Sequence, residues 1–255
     1  MEHIYSTVGF ILRHICRYRY AVSLQNLSRA LPSASYSEVK QHHLHFYKNA
    51  ARILIETVVP SMQQLHVPKA EQHMLSMLET KRKRIILLTG HYGNWEVLNK
   101  LPKHTSIPVQ ALYKPLRSKF WDKLFTKFRS IHGIRLLTAS QALRILLREE
   151  HESSITLFIA DQFPGKENGL SIDFLSQPTQ MFTGAEQLAR KTNASVLYLE
   201  LVPVGNYGWK IRLEPICDSA QLTAPGFITT QYTRKLENSI RRNPTWWLWT
   251  HRRWK

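Results

Sequence analysis

The strongest constraint on this chain is an alternation that begins at residue 85. Short apolar runs recur at 85–89 (IILLT), 107–113 (IPVQALY), 134–138 (IRLLT), 154–161 (SITLFIAD), 194–204 (ASVLYLELVPV) and 209–215 (WKIRLEP). Runs of this length, rich in Ile, Val and Leu, fit buried strands. Between them, 118–133, 140–151, 183–193 and 227–244 carry helical periodicity. Gly133 and Pro244 read as stops, and Ser140 and Thr183 as caps. Strands spaced by helices predict a mainly parallel or mixed sheet flanked by helices, an α/β fold. In such sheets ligands bind outside the carboxyl ends of the strands.

The first 80 residues read differently. Residues 33–62 predict one long helix, with Ser35 and Glu38 at capping-box spacing and Leu44, Tyr47, Ala51, Leu54 and Val58 at helical intervals. A shorter helix is expected over 69–79. The division expected is an N-terminal, membrane-proximal helical region over 1–80 and an α/β core over 81–255, ending in a basic, Trp-rich tail.

A chain of 255 residues, 43% hydrophobic, can bury a sizeable core, which excludes global disorder. Its formal net charge is +17, from 35 Lys and Arg against 18 Asp and Glu. That excess concentrates anionic partners: nucleic acid, an anionic membrane surface, phosphorylated lipids or an acidic carrier protein. Two cysteines, Cys16 and Cys217, supply neither a disulfide framework nor metal-ligand spacing. No run reaches the roughly 18–20 apolar residues needed to span a bilayer. The apolar start meets Arg13 quickly and lacks a small-residue cleavage site, so no signal peptide is expected. With Arg17, Tyr18, Arg19 and Tyr20 behind it, this start reads either as a helix lying on a membrane surface or as an amphipathic helix packed on the domain.

Four features carry candidate chemistry. His91 directly follows the first strand, with Glu96 five residues on. A neutral imidazole can take a proton from an attacking hydroxyl if a carboxylate holds its other nitrogen. Glu96 is the candidate holder; alternatively it only favours a helix N-terminus by its charge. Asp161 and Gln162 end another strand on the same edge, ahead of a Gly- and Pro-rich loop. Lys114, Arg117, Lys119, Lys123, Lys127 and Arg129 make a basic helix face, from which one arginine can stabilise a developing oxyanion. Finally, four of the seven tryptophans lie in the last ten residues, among His251, Arg252, Arg253 and Lys255. Such a tail suits a membrane interface or stacking on single-stranded nucleic acid, or else completes the core.

Taken in order, these segments resemble the lipid A biosynthesis (lauroyl/myristoyl) acyltransferase family. The matching pieces are GHYGNWE with its His-x4-acid spacing, ALYKPL, Arg129 with Gly133, the block from ADQFP to LELVP, and IRRNPTWWLWTHRRWK, over roughly residues 20–255. The resemblance implies a glycerolipid-acyltransferase-like mixed sheet with an N-terminal helical region. It implies transfer of a fatty acyl chain from an acyl-carrier-protein thioester to a hydroxyl of a lipid A precursor. His91 would be the base and Glu96 its orienting partner. Arg129, Asp161 and Gln162 would be substrate-binding. No metal or diffusible cofactor is implied. Such proteins usually begin with a longer hydrophobic anchor, so peripheral or weak attachment to the cytoplasmic face of the inner membrane is the expectation. Another membrane glycolipid or a lysophospholipid as acceptor is the alternative within the class, and a basic single-strand-binding protein is the alternative outside it.

Overall fold

A computed structural model describes residues 1–115, 118–148, 153–165 and 169–254. Arg117, residues 149–151 of an expected helix, and Lys255 lie outside these residues. Helices α1 (Glu2–Phe10), α2 (Tyr20–Ala30) and α3 (Tyr36–Val58) come first, with a π-helical stretch Ile11–Ile15 after α1. Ser35 caps α3 as the spacing predicts: it accepts from Glu38 N–H, and the Glu38 side chain accepts from Ser35 N–H. Strand β1 (Gln64–His66) and α4 (Lys69–Thr80) lead to β2 (Ile85–Thr89). Then follow β3 (Val109–Tyr113), α5 (Lys119–Ser130), β4 (Arg135–Thr138), α6 (Ala139–Arg148) and β5 (Ile155–Ile159). The chain continues through β6 (Gly169–Phe174), β7 (Gln177–Phe182), α7 (Gly184–Lys191), β8 (Ser195–Val204), β9 (Gly208–Cys217) and α8 (Phe227–Arg242).

The main sheet has seven strands in the order β1-β9-β8-β2-β5-β3-β4. Strands β8, β2, β5, β3 and β4 run parallel, β9 runs against β8, and β1 lies parallel to β9. The mixed α/β fold expected from the alternation is the fold present, with all six anticipated strands in this sheet. β2 is buried at every position, which is why it reads as an unbroken apolar run. After β4 the chain returns to insert β5 between β2 and β3, then crosses to place β8 on the far side of β2. The carboxyl ends of β2 and β5 therefore flank a topological switch point.

Three local expectations need correction. The stretch after Asp161, expected as a Gly- and Pro-rich loop, contains the antiparallel hairpin β6–β7. Leu175 and Ser176 close it with φ of 52° and 62°, a left-handed turn without the glycine that would have signalled it. Ser140 lies inside α6 rather than ahead of it. Thr183 precedes α7 but makes no side-chain cap bond.

The Trp-rich tail is part of the core. Trp246, Trp247 and Trp249 are buried, and Trp254 packs against the same cluster. These rings therefore do not form a membrane belt. Arg253 is fully buried, lies over the rings of Phe163 and Phe174 at 5.9 Å each, and donates to Thr179 Oγ1 and Gln180 O. Burial lowers its pKa to about 10, which leaves it charged at neutral pH. The tail is thus riveted to β7. Among the described residues no helix is long and apolar enough to cross a membrane.

Arg253→Ala should leave a cavity and two acceptors without their donor. A loss of about 2–4 kcal/mol is expected, read from the midpoint of a urea melt.

Candidate active site

The register of the sheet assembles the site. β2 and β5 pair in parallel with Thr89 opposite Ile159. Two residues further along each strand, His91 and Asp161 come face to face. Asp161 Oδ1 lies 2.6 Å from His91 Nδ1, and Asp161 Oδ2 accepts from His91 N–H at 2.8 Å. The tail closes this pair from the other side. Trp247 Nε1–H donates to Asp161 Oδ2 at 2.8 Å. Backbone bonds from Gly93 N–H to Trp246 O and from Leu248 N–H to His91 O pin the tail against the His91 loop. Asp161 is 3% exposed. Burial alone would raise its pKa, but the adjacent imidazole and the donors from His91 and Trp247 outweigh it and hold the carboxyl at about 2.

This partnership corrects the expectation for Glu96. Its carboxylate does not hold the imidazole; it takes both ends of Arg129, with Nε to Oε2 at 2.9 Å and Nη2 to Oε1 at 2.5 Å. The local geometry explains why. Asn94 caps a 3-10 helix, Trp95–Lys103, by accepting from Glu96 N–H, so Glu96 does sit in a first helical turn. That turn aims its side chain at the arginine on α5 rather than back at His91. The Nδ1 that Glu96 was expected to occupy is already taken by a residue 70 positions away.

The loop between His91 and Glu96 is held from below. Glu56 on α3 is fully buried and accepts from Asn94 Nδ2 at 2.8 Å, Trp209 Nε1 at 2.7 Å and Arg52 Nε at 2.7 Å. Gly93 has φ of +71°, and an added Cβ would lie 2.7 Å from Trp209 Cζ3. Only glycine fits both demands. Neither Glu56 nor Trp247 was identifiable from sequence. Glu56 reads as one polar position on a helix, and Trp247 as one ring in a Trp-rich tail.

His91 Nε2 points the other way, 3.3 Å from Gln162 Nε2. With Nδ1–H donating to Asp161, Nε2 is left as an acceptor, which suits the Gln162 amide as donor. Both residues line a cavity of about 290 Å³ with Trp95, Glu96 and Arg129. Leu98, Leu112, Ile134, Leu136 and Leu157 supply the apolar part of its lining. The structure thus gathers all five residues singled out in the sequence, but pairs them as His91 with Asp161 and Glu96 with Arg129. The site can hold a proton acceptor and a guanidinium at the mouth of an apolar pocket.

A carboxyl depressed from 3.8 to about 2 contributes stability that is complete above pH 4 and lost as pH falls through about 2. Asp161→Asn should therefore flatten that limb of the stability curve, a change of about 2 kcal/mol, measured by chemical denaturation across pH.

A family model described as bacterial lipid A biosynthesis acyltransferase matches residues 1–255. No curated protein matches the chain.

Proposed function

The chain belongs to the bacterial lipid A biosynthesis acyltransferase family, and on that footing we propose that it moves a fatty acyl chain from an acyl-carrier-protein thioester to a hydroxyl of a lipid A precursor, with His91 as general base. It is an acyltransferase (EC 2.3.1) of lipid A synthesis. The observation that carries the mechanistic reading is the His91–Asp161 pair at the mouth of a half-apolar cavity.

The steps follow from which atoms are free. The acceptor hydroxyl hydrogen-bonds to His91 Nε2. As its oxygen attacks the thioester carbonyl carbon, the proton passes to Nε2, and the imidazolium is stabilised by Asp161. The tetrahedral oxyanion receives hydrogen bonds from the Gln162 amide and from guanidinium N–H groups of Arg129 that Glu96 leaves free. The C–S bond then breaks, the Nε2 proton goes to the departing sulfur, and an ester and a free thiol result. Glu96 thus acts on Arg129, and Asp161 takes the orienting role that the His-x4-acid spacing suggested for Glu96. The apolar part of the cavity suits the donor's acyl chain.

The surplus positive charge supports the acidic carrier protein as donor and an anionic leaflet as the working surface. Attachment is peripheral, at the cytoplasmic face of the inner membrane. Exposed Ile4, Phe10, Ile11 and Ile15 beside Arg13 and Arg17 suit such a surface.

The test is transfer by purified protein between carrier-bound acyl chains and a lipid A precursor. His91→Ala should lower turnover by about 10²–10⁴-fold with the fold retained. Asp161→Asn should cost a comparable factor in kcat, because the tautomer is no longer fixed. Wild-type turnover by His91→Ala would overturn the assignment. Unchanged lipid A in a deletion strain, with another glycolipid or a lysophospholipid pool altered, would move the activity to that acceptor.

A further inference from the structure

A second cavity, of about 440 Å³, shares Trp95 and Glu96 with the first. It runs as a groove between α3 and the C-terminal tail. Phe46, Ala50, Ile53 and Leu54 form one wall, and Trp246 and Leu248 the other. From Thr57 to Phe46 the groove follows α3 for about 16 Å, at 1.5 Å per residue. That is the span of a medium-length hydrocarbon chain. One end lies at Trp95, whose ring meets the His91 ring edge-on at 4.7 Å. The other end opens at Leu12 and Tyr18.

The groove is not filled from within. Leu54 is 49% exposed and Tyr18 is 53% exposed, so the groove is open to solvent, and exposed Ile11 and Ile15 extend the apolar surface at its end. At the open end the chemistry changes. Exposed Ile11 and Ile15 alternate with Arg13, Arg17 and Arg19. Among the described residues no carboxylate pairs with these arginines, whose own contacts are with His43, His14, Tyr20 and Thr250 O. The backbone here is irregular too. The π-helix Ile11–Ile15 is followed by Arg17 and Arg19, both held left-handed at φ of 45° and 49°. Apolar groups interleaved with cations that no carboxylate neutralises are the chemistry of an anionic lipid surface.

We infer that this groove seats a hydrocarbon chain of the acceptor lipid, drawn in from an anionic lipid surface at the Arg17–Arg19 end and delivered beside His91. The inference rests on the acyltransferase reading. A transferase joining two lipid substrates needs one apolar site for the chain that moves and another for a chain that stays. Two apolar cavities meeting at Trp95 and Glu96, on either flank of the catalytic turn, meet that need.

The experiment uses detergent-solubilised full-length protein. Leu54→Glu puts a charge in the groove from a half-exposed position, and Ala50→Phe fills the groove without charge. Both variants should raise KM for the lipid A precursor about tenfold, while KM for the acyl-carrier-protein donor moves less than twofold. An unchanged acceptor KM in both, or a rise in donor KM instead, overturns the inference. A binding readout stands independently of transfer. A lysophosphatidic acid brominated along its chain should quench the groove's tryptophans, and Leu54→Glu should weaken that binding about tenfold. Equal quenching of both proteins overturns the inference, whereas quenching without any acyl transfer by the wild-type protein overturns only the catalytic reading.

Discussion

A buried carboxylate with three donors organises this molecule. Asp161 is an ion in a site that excludes water, a state that is expensive unless its oxygens are hydrogen-bonded. The donors arrive from separate parts of the chain: two from His91 after β2 and one from Trp247 in the tail. The ion is therefore compatible with folding only when the parallel pairing of β2 with β5 is in register and the tail is docked. A slip of one residue in that pairing would turn the His91 and Asp161 side chains to opposite faces. The chemistry of the site and the closure of the fold are in this sense one interaction.

The other buried acids follow the same rule with different partners. Glu96 is matched by Arg129, Glu56 by Arg52 with Asn94 and Trp209, and Glu200 by Arg212 and Arg242. Glu186 accepts from Gly226 N–H and from the Thr229 hydroxyl and N–H. Among the described residues these four and Asp161 are the buried carboxylates, against only Arg52, Arg84 and Arg253 as buried cations. The interior takes up more negative than positive charge, so the solvent-facing surface is more basic than the formal net charge of +17 suggests. That sharpens the attraction toward anionic partners.

The tail shows how composition misleads when position is unknown. Trp and Arg together suit a membrane interface, yet Trp246, Trp247, Trp249 and Arg253 are spent on the core and on Asp161. The exposed apolar and cationic mixture lies instead at the other terminus, around Ile11, Ile15, Arg17 and Arg19. An aromatic ring with one N–H serves equally as a headgroup anchor or as the donor that a buried carboxylate requires. Only the fold decides between them.

Local rules in the sequence determined a good deal. Strand-length apolar runs and helical periodicity define the α/β class, and the Ser35–Glu38 spacing defines the start of α3. The end of β2 also marks where chemistry belongs, because those patterns depend on neighbours within a few residues. His91, Asp161 and Gln162 stand out for the same reason, since each follows a strand, and Glu96 by its spacing from His91, whereas Arg129 is picked out of its basic helix face only by the family resemblance. Their pairing does not stand out. Which carboxylate meets His91 depends on β5 inserting beside β2 with Thr89 opposite Ile159, a contact across 70 residues that no local pattern encodes. The hairpin β6–β7, closed without glycine, was hidden for a related reason: the surrounding structure, and not the turn residues, holds Leu175 and Ser176 left-handed. The sequence named the candidate groups, and long-range strand register decided which of them touch.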